Sequence, residues 1–122
     1  MHHVLISLAS NHEQQEHLSE ARRALAEVLL SAHYTAEIWT EPEGAKAQGP
    51  QYLNQLVSAE TLLNADELNL FLKQTELKLG RTDDMRLRGL VPVDLDLLQA
   101  DDRRYHLHDW QRSYVKRLLE LL

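Results

Sequence analysis

The stretch Tyr52-Leu53-Asn54-Gln55-Leu56-Val57-Ser58-Ala59-Glu60 alternates with the two-residue period of a strand, and its flanks decide the fold. Tyr52, Asn54, Leu56 and Ser58 share one face; Leu53, Gln55, Val57 and Ala59 share the other. Downstream, Asn64 and Glu67 have the spacing of a capping box, in which each side chain accepts from the other residue's free backbone N–H at a helix start. Leu68, Phe71, Leu72, Thr75 and Leu79 then recur at helical spacing until Gly80 supplies a stop. A further strand follows, with Val91, Val93, Leu95 and Leu97 on one side and Pro92, Asp94, Asp96 and Leu98 on the other.

The same grammar holds upstream. Val4, Ile6 and Leu8 predict a strand over residues 4–9. Leu18, Ala21, Leu25, Val28 and Leu29 predict a helix over 11–32, its remaining surface charged by Glu13, Glu16, Glu20, Arg22, Arg23 and Glu27. Tyr34, Ala36, Ile38 and Thr40 predict a strand over 34–40. Pro42, Gly44, Gly49 and Pro50 then mark residues 41–50 as a loop long enough to carry function. Residues 107–122 read as a terminal helix packed through Trp110, Tyr114, Leu118 and Leu121. Strand, helix, strand, strand, helix, strand is the split βαβ order. The predicted class is therefore α+β: a ferredoxin-like sandwich with an antiparallel sheet and helices on one face, in one domain over 1–122. Many unrelated functions use that fold, so function must be argued from positions.

Composition narrows the classes. The 122 residues include 13 Lys and Arg against 19 Asp and Glu, for a net charge of −6. A chain of this length buries roughly two thirds of its unfolded surface, enough for a core without disulfides or a structural metal. With no cysteine there is no thiolate chemistry, zinc ribbon or iron–sulfur cluster, and a reducing, cytoplasmic setting is expected. The acidic balance argues against nucleic acid as a partner. No apolar run approaches the roughly 20 residues of a membrane span, and the first residues lack the pattern of a secretion signal. GxSxG, Walker A and GxGxxG are absent.

Charge is unevenly placed. The charged residues over 37–76 are mostly acidic, whereas from Lys78 onward Arg81, Arg86, Arg88, Arg103, Arg104 and Arg112 interleave with Asp83, Asp84, Asp94, Asp96, Asp101, Asp102 and Asp109. Such a mixture suits either a solvated face or a site for a metal-chelated polyphosphate, with carboxylates for the cation and guanidinium groups for the phosphates. Asp94 and Asp96, two apart in a strand, leave one face about 7 Å apart, a separation that either bridges one or two Mg²⁺ ions or lies on an exposed edge. Tyr52 and Asn54 offer a ring for stacking and an amide that can read a heterocycle's edge; the alternative is a core tyrosine beside a solvated amide. His106 and Arg112 flank the terminal helix, either as phosphate ligands or as surface residues. His106 and His108 form an HxH pair, but no third ligand accompanies it.

Taken in order, these stretches resemble the 6-hydroxymethyl-7,8-dihydropterin pyrophosphokinase family of folate biosynthesis. Ala9-Ser10-Asn11 is similar to the family's Gly-Ser-Asn, Thr40-Glu41-Pro42-Glu43-Gly44 to its Thr-Pro-Pro-x-Gly, and Tyr52-Leu53-Asn54 to its Tyr/Phe-Leu-Asn. Glu76 to Arg81 resembles its Glu-x-x-x-Gly-Arg, Asp94-Leu95-Asp96-Leu97-Leu98 its Asp-Leu-Asp-Ile/Leu-Leu, and His106, Arg112 and Tyr114 its His, Arg and Phe. The resemblance implies transfer of pyrophosphate from ATP to the hydroxymethyl group of 6-hydroxymethyl-7,8-dihydropterin, leaving AMP. It further implies that Asp94 and Asp96 hold two Mg²⁺ ions, that Asn54 bonds the pterin edge between Tyr52 and Tyr114, and that Thr40 and Pro42 line the pocket. Glu76, Arg81, His106 and Arg112 would contact the nucleotide, with Arg81, Asp94 and Asp96 at the catalytic centre.

At unchanged spacing Asp83 stands for the second arginine of Gly-Arg-x-Arg, Arg88 for a tryptophan, Leu90 for a proline and Val91 for the arginine before the carboxylates. Two phosphate-facing guanidinium groups are thus replaced, with Arg86 and Arg88 as candidate substitutes at ATP. Losing two such contacts would cost on the order of 10³-fold or more in rate. Two expectations follow: a pyrophosphokinase of reduced rate, or a paralogue kept as a pterin- or nucleotide-binding or protein-interaction module.

Overall fold

The computed structural model describes residues 1–43 and 49–122. Gly44 and Lys46, with the middle of the 41–50 loop, lie outside the described residues. Among the described residues the elements run β1 (His2–Ser10), α1 (Gln14–Leu25), β2 (Leu30–Tyr34), β3 (Ile38–Thr40), β4 (Tyr52–Thr61), α2 (Ala65–Lys78), α3 (Asp83–Leu87), β5 (Asp94–Ala100), β6 (Arg103–Arg104) and α4 (Ser113–Leu119), with a 3-10 turn at Asp109–Gln111. The sheet has the order β2-β4-β1-β5-β6, β3 also pairs with β4, and all pairings are antiparallel. This is the α+β sandwich that the alternation predicts.

Register sorts the side chains. Ile6 of β1 lies opposite Val57 and Leu97, and Leu8 opposite Gln55 and Leu95. One residue over, Ser7 lies opposite Leu56 and Asp96, and Ala9 opposite Asn54 and Asp94. The first set faces α1 and α2, where Ile6, Leu8, Leu18, Ala21, Leu25, Val57, Leu68, Leu72, Leu95 and Leu97 form one buried cluster. Each such leucine contributes about 1.5–3 kcal/mol of transfer free energy. The capping box forms as its spacing predicts: Glu67 N donates to Asn64 Oδ1 and Asn64 N to Glu67 Oε1, both at 2.9 Å.

The helices occupy both faces, and this corrects the expectation of one. The second face of the strands carries Leu5, Leu56 and Leu98, which would otherwise meet water; Trp110, Val115 and Leu118 from the 3-10 turn and α4 cover them. That cover stops short of Asn54, Asp94 and Asp96.

Four other boundaries differ from the pattern. The first helix ends at Leu25 instead of 32, because residues 30–34 pair with β4 instead; no glycine or proline marks that stop in the sequence. The strand over 34–40 is two short ones. Thr35 joins them, its N–H donating to Leu56 O at 2.9 Å while its hydroxyl accepts from Leu56 N at 3.0 Å. The last long strand begins at Asp94, since Val91 bonds to Asn11 instead of a ladder. The terminal helix is a 3-10 turn and a shorter α4 that leaves Leu121 exposed. Both α3 and β6 are additions.

Candidate functional site

A cavity of about 550 Å³ opens where the cover of α4 stops, and Ser7, Ala9 and Asn54 form its floor. Asn54 is 2% exposed. Its Nδ2 donates to Thr40 Oγ1 at 2.9 Å and to the carbonyls of Ile38 and Tyr52 at 3.3 Å. Three oxygen acceptors fix the amide's orientation and leave Oδ1 as the atom it can present to a ligand. Tyr52, Thr40 and Tyr114 stand around it in the wall. Burial pushes the Tyr114 phenol up to about 12, so it is a neutral donor at physiological pH. Pro42 is buried and outside the lining.

Arg112 closes one side. Its Nε donates to Asp109 Oδ1 at 2.9 Å and its Nη1 to Glu43 Oε2 at 2.8 Å, and all three residues line this cavity. The structure therefore places Arg112 with the tyrosines and Asn54.

A second cavity, of about 460 Å³, is lined by Lys73, Glu76, Arg81, Asp83 and Arg86. It meets the first at Asp94 and Asp96, which line both. The reason lies at the free edge of β5. Residue 95 points its N–H and carbonyl away from β1, and a helix rather than a strand satisfies them: Glu76 Oε2 accepts from Leu95 N at 2.8 Å and Lys73 Nζ donates to Leu95 O at 2.9 Å. One helical turn on α2 thus replaces a neighbouring strand. The same two side chains continue into the site. Lys73 Nζ lies 3.1 Å from Glu76 Oε2 and 3.2 Å from Asp96 Oδ1; Arg81 Nη1 lies 3.0 Å from Glu76 Oε1 and 3.2 Å from Asp94 Oδ1.

Electrostatics follow from this packing. Burial, then the Asp94 charge, raises the Asp96 carboxyl above the usual range despite Lys73 and His106. Burial likewise raises Glu76. For Lys73, burial favours the neutral amine, but Asp96 and Glu76 outweigh it and hold the pKa above the ordinary lysine value. Arg81 is raised in the same way, with Asp94 and Glu76 outweighing burial.

Of the residues singled out in the sequence, Thr40, Tyr52, Asn54, Arg112 and Tyr114 gather at the first cavity, and Glu76 and Arg81 at the second. Glu76 is 5% exposed, with both carboxylate oxygens engaged inside the protein. His106 Nε2 lies 3.8 Å from Asp96 Oδ1. Arg88 lines neither cavity; it pairs with Asp84 at 3.7 Å on the surface of α3, whereas Arg86 lines the second cavity. Val91 is buried, so its position adds nothing to the charged wall. Sequence reasoning missed Lys73 at the second cavity and gave Glu43 and Asp109 no contact with Arg112. The spacing of Lys73 and Glu76, three apart in a helix, was the available signal for the first. Of the Ala9-Ser10-Asn11 stretch, Ala9 lines the first cavity, whereas Asn11 is tied to the loop before β5: its Nδ2 donates to Gly89 O at 2.9 Å and its Oδ1 accepts from Val91 N, tethering the segment that leads into Asp94.

Among the described residues no three His, Cys, Asp or Glu side chains converge on a metal position. Asp94 and Asp96 offer two hard oxygen donors at the seam of two cavities. That set fits a Mg²⁺ whose other ligands are substrate phosphates and water, and does not fit a metal held by protein alone.

The sequence pattern described as 7,8-dihydro-6-hydroxymethylpterin-pyrophosphokinase matches residues 5–121. Among curated proteins, the chain is similar to the mitochondrial folate synthesis bifunctional protein of Pisum sativum, 33% identical over 98% of this chain and 25% of the relative. It is also similar to the mitochondrial folate synthesis bifunctional protein of Arabidopsis thaliana, 32% identical over 93% of this chain and 22% of the relative. A second Arabidopsis folate synthesis bifunctional protein is 29% identical over 92% of the chain and 25% of the relative. The chain spans about a quarter of the length of the curated relatives it matches.

Proposed function

The chain belongs to the 7,8-dihydro-6-hydroxymethylpterin-pyrophosphokinase family, and from that premise we propose that it transfers pyrophosphate from Mg–ATP to 6-hydroxymethyl-7,8-dihydropterin, giving AMP, in folate biosynthesis. One observation carries the reading: Asp94 and Asp96 line both cavities at once. A group transferred between ligands in the two cavities would pass those carboxylates.

The first cavity suits a flat, polar heterocycle. Tyr52 and Tyr114 give it apolar walls, and the Asn54 amide, anchored through Nδ2, offers Oδ1 to a ring N–H. The second suits a polyphosphate, with Lys73, Arg81 and Arg86 in its wall. Asp94 and Asp96 would hold Mg²⁺, which when bound screens phosphate charge and orients the acceptor oxygen. The protein's own part is alignment. Glu76 and Lys73 lock Leu95, so the carboxylates on either side of it are held by the edge of β5. Arg81, fixed by Glu76, keeps Asp94 in place and stands ready for phosphate charge. The cytoplasmic setting expected from composition belongs to this proposal; two of the plant relatives are named as mitochondrial.

The test is AMP released from Mg–ATP with and without the dihydropterin. Wild type is expected to show acceptor-dependent AMP, and Asp94→Asn and Asp96→Asn to lower it by roughly 10³-fold or more. Acceptor-independent AMP, or none, overturns the reading. Asp83 in the wall of the second cavity favours a second one: a module that binds pterin or nucleotide without efficient transfer. Under it, both ligands bind while transfer stays absent, and Asp83→Arg raises the rate if charge is what is lacking.

A further inference from the structure

Lys73 has three N–H donors and three oxygen partners: Glu76 Oε2, Leu95 O and Asp96 Oδ1. These partners are not equivalent. Leu95 O is backbone in β5, and Glu76 is buried and pinned by Leu95 N and Arg81. Those two form a fixed seat for the ammonium. Asp96 differs, because it borders both cavities and its carboxylate is one of the two metal-ligand candidates.

Resting on the function proposed above, we infer that Lys73 is the phosphate-contacting cation of the second cavity, seated on Glu76 and Leu95 and exchanging Asp96 for an oxygen of the pyrophosphoryl group that the triphosphate carries and AMP lacks. Asp96, as one of the residues that would hold Mg²⁺, would then have its carboxylate oxygens shared with a positive charge that disfavours a neighbouring ammonium. Lys73 would be left with the donor that is now directed at Asp96, while its contacts to Glu76 Oε2 and Leu95 O hold Nζ in the wall. A phosphate oxygen is the acceptor that this geometry favours, since charge-assisted contacts of this kind are the strong ones. The wall also shows why the burden falls here. Asp83 adds negative charge to the wall, Val91 is buried, and Arg88 pairs with Asp84 away from the cavity. Among the described residues the cations in the wall are Lys73, Arg81 and Arg86, and Lys73 already touches one of the paired carboxylates. Its seat on one helical turn keeps the charge in place without a flexible loop.

Lys73→Met and Lys73→Arg separate this role from a merely structural one. The readout is equilibrium binding of α,β-methylene ATP with Mg²⁺, of AMP, and of the dihydropterin, together with thermal melting. For Lys73→Met the triphosphate Kd is expected to rise about 10- to 100-fold, the range of a lost charged hydrogen bond. AMP and pterin affinities should stay nearly unchanged, and Lys73→Arg should recover most of the loss. Should Lys73→Met fail to fold, Lys73→Gln, which keeps an N–H for Leu95 O, serves in the same comparison. An unchanged triphosphate Kd overturns the inference, and so does a parallel loss for AMP and pterin, which would mark Lys73 as structural. If wild type binds no Mg-loaded triphosphate, the functional reading falls as well; if wild type and Lys73→Met bind it equally, only the role of Lys73 falls.

Discussion

The two faces of β1, β4 and β5 are made by the same backbone, one residue out of step, and they are used in opposite ways. On the α1 and α2 side, Ile6, Leu8, Val57, Leu95 and Leu97 are covered along the sheet; Gln55 interrupts them but is satisfied by Arg22 Nη1 at 2.9 Å and Thr35 O at 2.8 Å. On the α4 side, Leu5, Leu56 and Leu98 are covered, whereas Ser7, Ala9, Asn54, Asp94 and Asp96 border the first cavity. The site arises because half of one face is withheld from the core. Stability should therefore reside on one face and ligand chemistry on the other, with Glu76 and Lys73 joining them round the edge of β5.

The comparison breaks most readily at the core. Leu72, fully buried among residues of the α1 and α2 face, makes no part of either cavity. Leu72→Ala should cost about 2–5 kcal/mol of unfolding free energy, through lost transfer and a residual void. Denaturant unfolding measures this directly. At low temperature, where the variant remains folded, its affinity for Mg-loaded triphosphate should match wild type. A loss under about 1 kcal/mol would mean that this face does not hold the fold together.

Glu76 tests the junction. Its removal in Glu76→Ala leaves Leu95 N–H without an acceptor and two cations without their shared carboxylate. The expected destabilisation is about 2–3 kcal/mol, and nucleotide binding should weaken with it because β5 carries both aspartates. Glu76→Gln keeps an oxygen for Leu95 N and should lose less. Equal stability of the alanine variant and wild type would show that the edge of β5 does not depend on α2.

This division also explains what could be read in the residues beforehand. Period-two alternation around Tyr52–Glu60 and Val91–Leu98 gave both the strands and the polar face, and Asn64 with Glu67 marked the start of α2, because these are local signals. The end of α1 was not local: Val28 and Leu29 continue the apolar stripe, and only pairing with β4 turns residues 30–34 into a strand. The placement of α4 on the second face depends on Leu5, Leu56 and Leu98 coming together from distant strands. Asp94, Asp96 and Asn54 were legible as chemistry because polar residues interrupt otherwise apolar strands. Lys73 was not, because its partners Leu95 and Asp96 come from another element. Arg86 and Arg88 could not be told apart until α3 gave each a direction.

The smallest expected effect is the sharpest test of the polar face. Asp96 is held with its carboxyl pKa above the usual 3.8, chiefly by burial and then by Asp94. A folded pKa above the unfolded one means that the native state binds the proton more tightly. The contribution of that group to stability is thus complete below the unfolded pKa and is lost as pH rises through the folded value. Ionising Asp96 as pH rises therefore lowers stability relative to its protonated form, even with Lys73 beside it. Asp96→Asn, which abolishes metal ligation at that position, should therefore melt at a higher temperature than wild type at pH 7. The gap should narrow on acidification and close once wild-type Asp96 is protonated as well. Thermal melts of both proteins across pH 3 to 8 measure this. A lower melting temperature for the variant at pH 7 would mean that pairing with Lys73 outweighs burial, and that this half of the face supports the fold it was thought to burden.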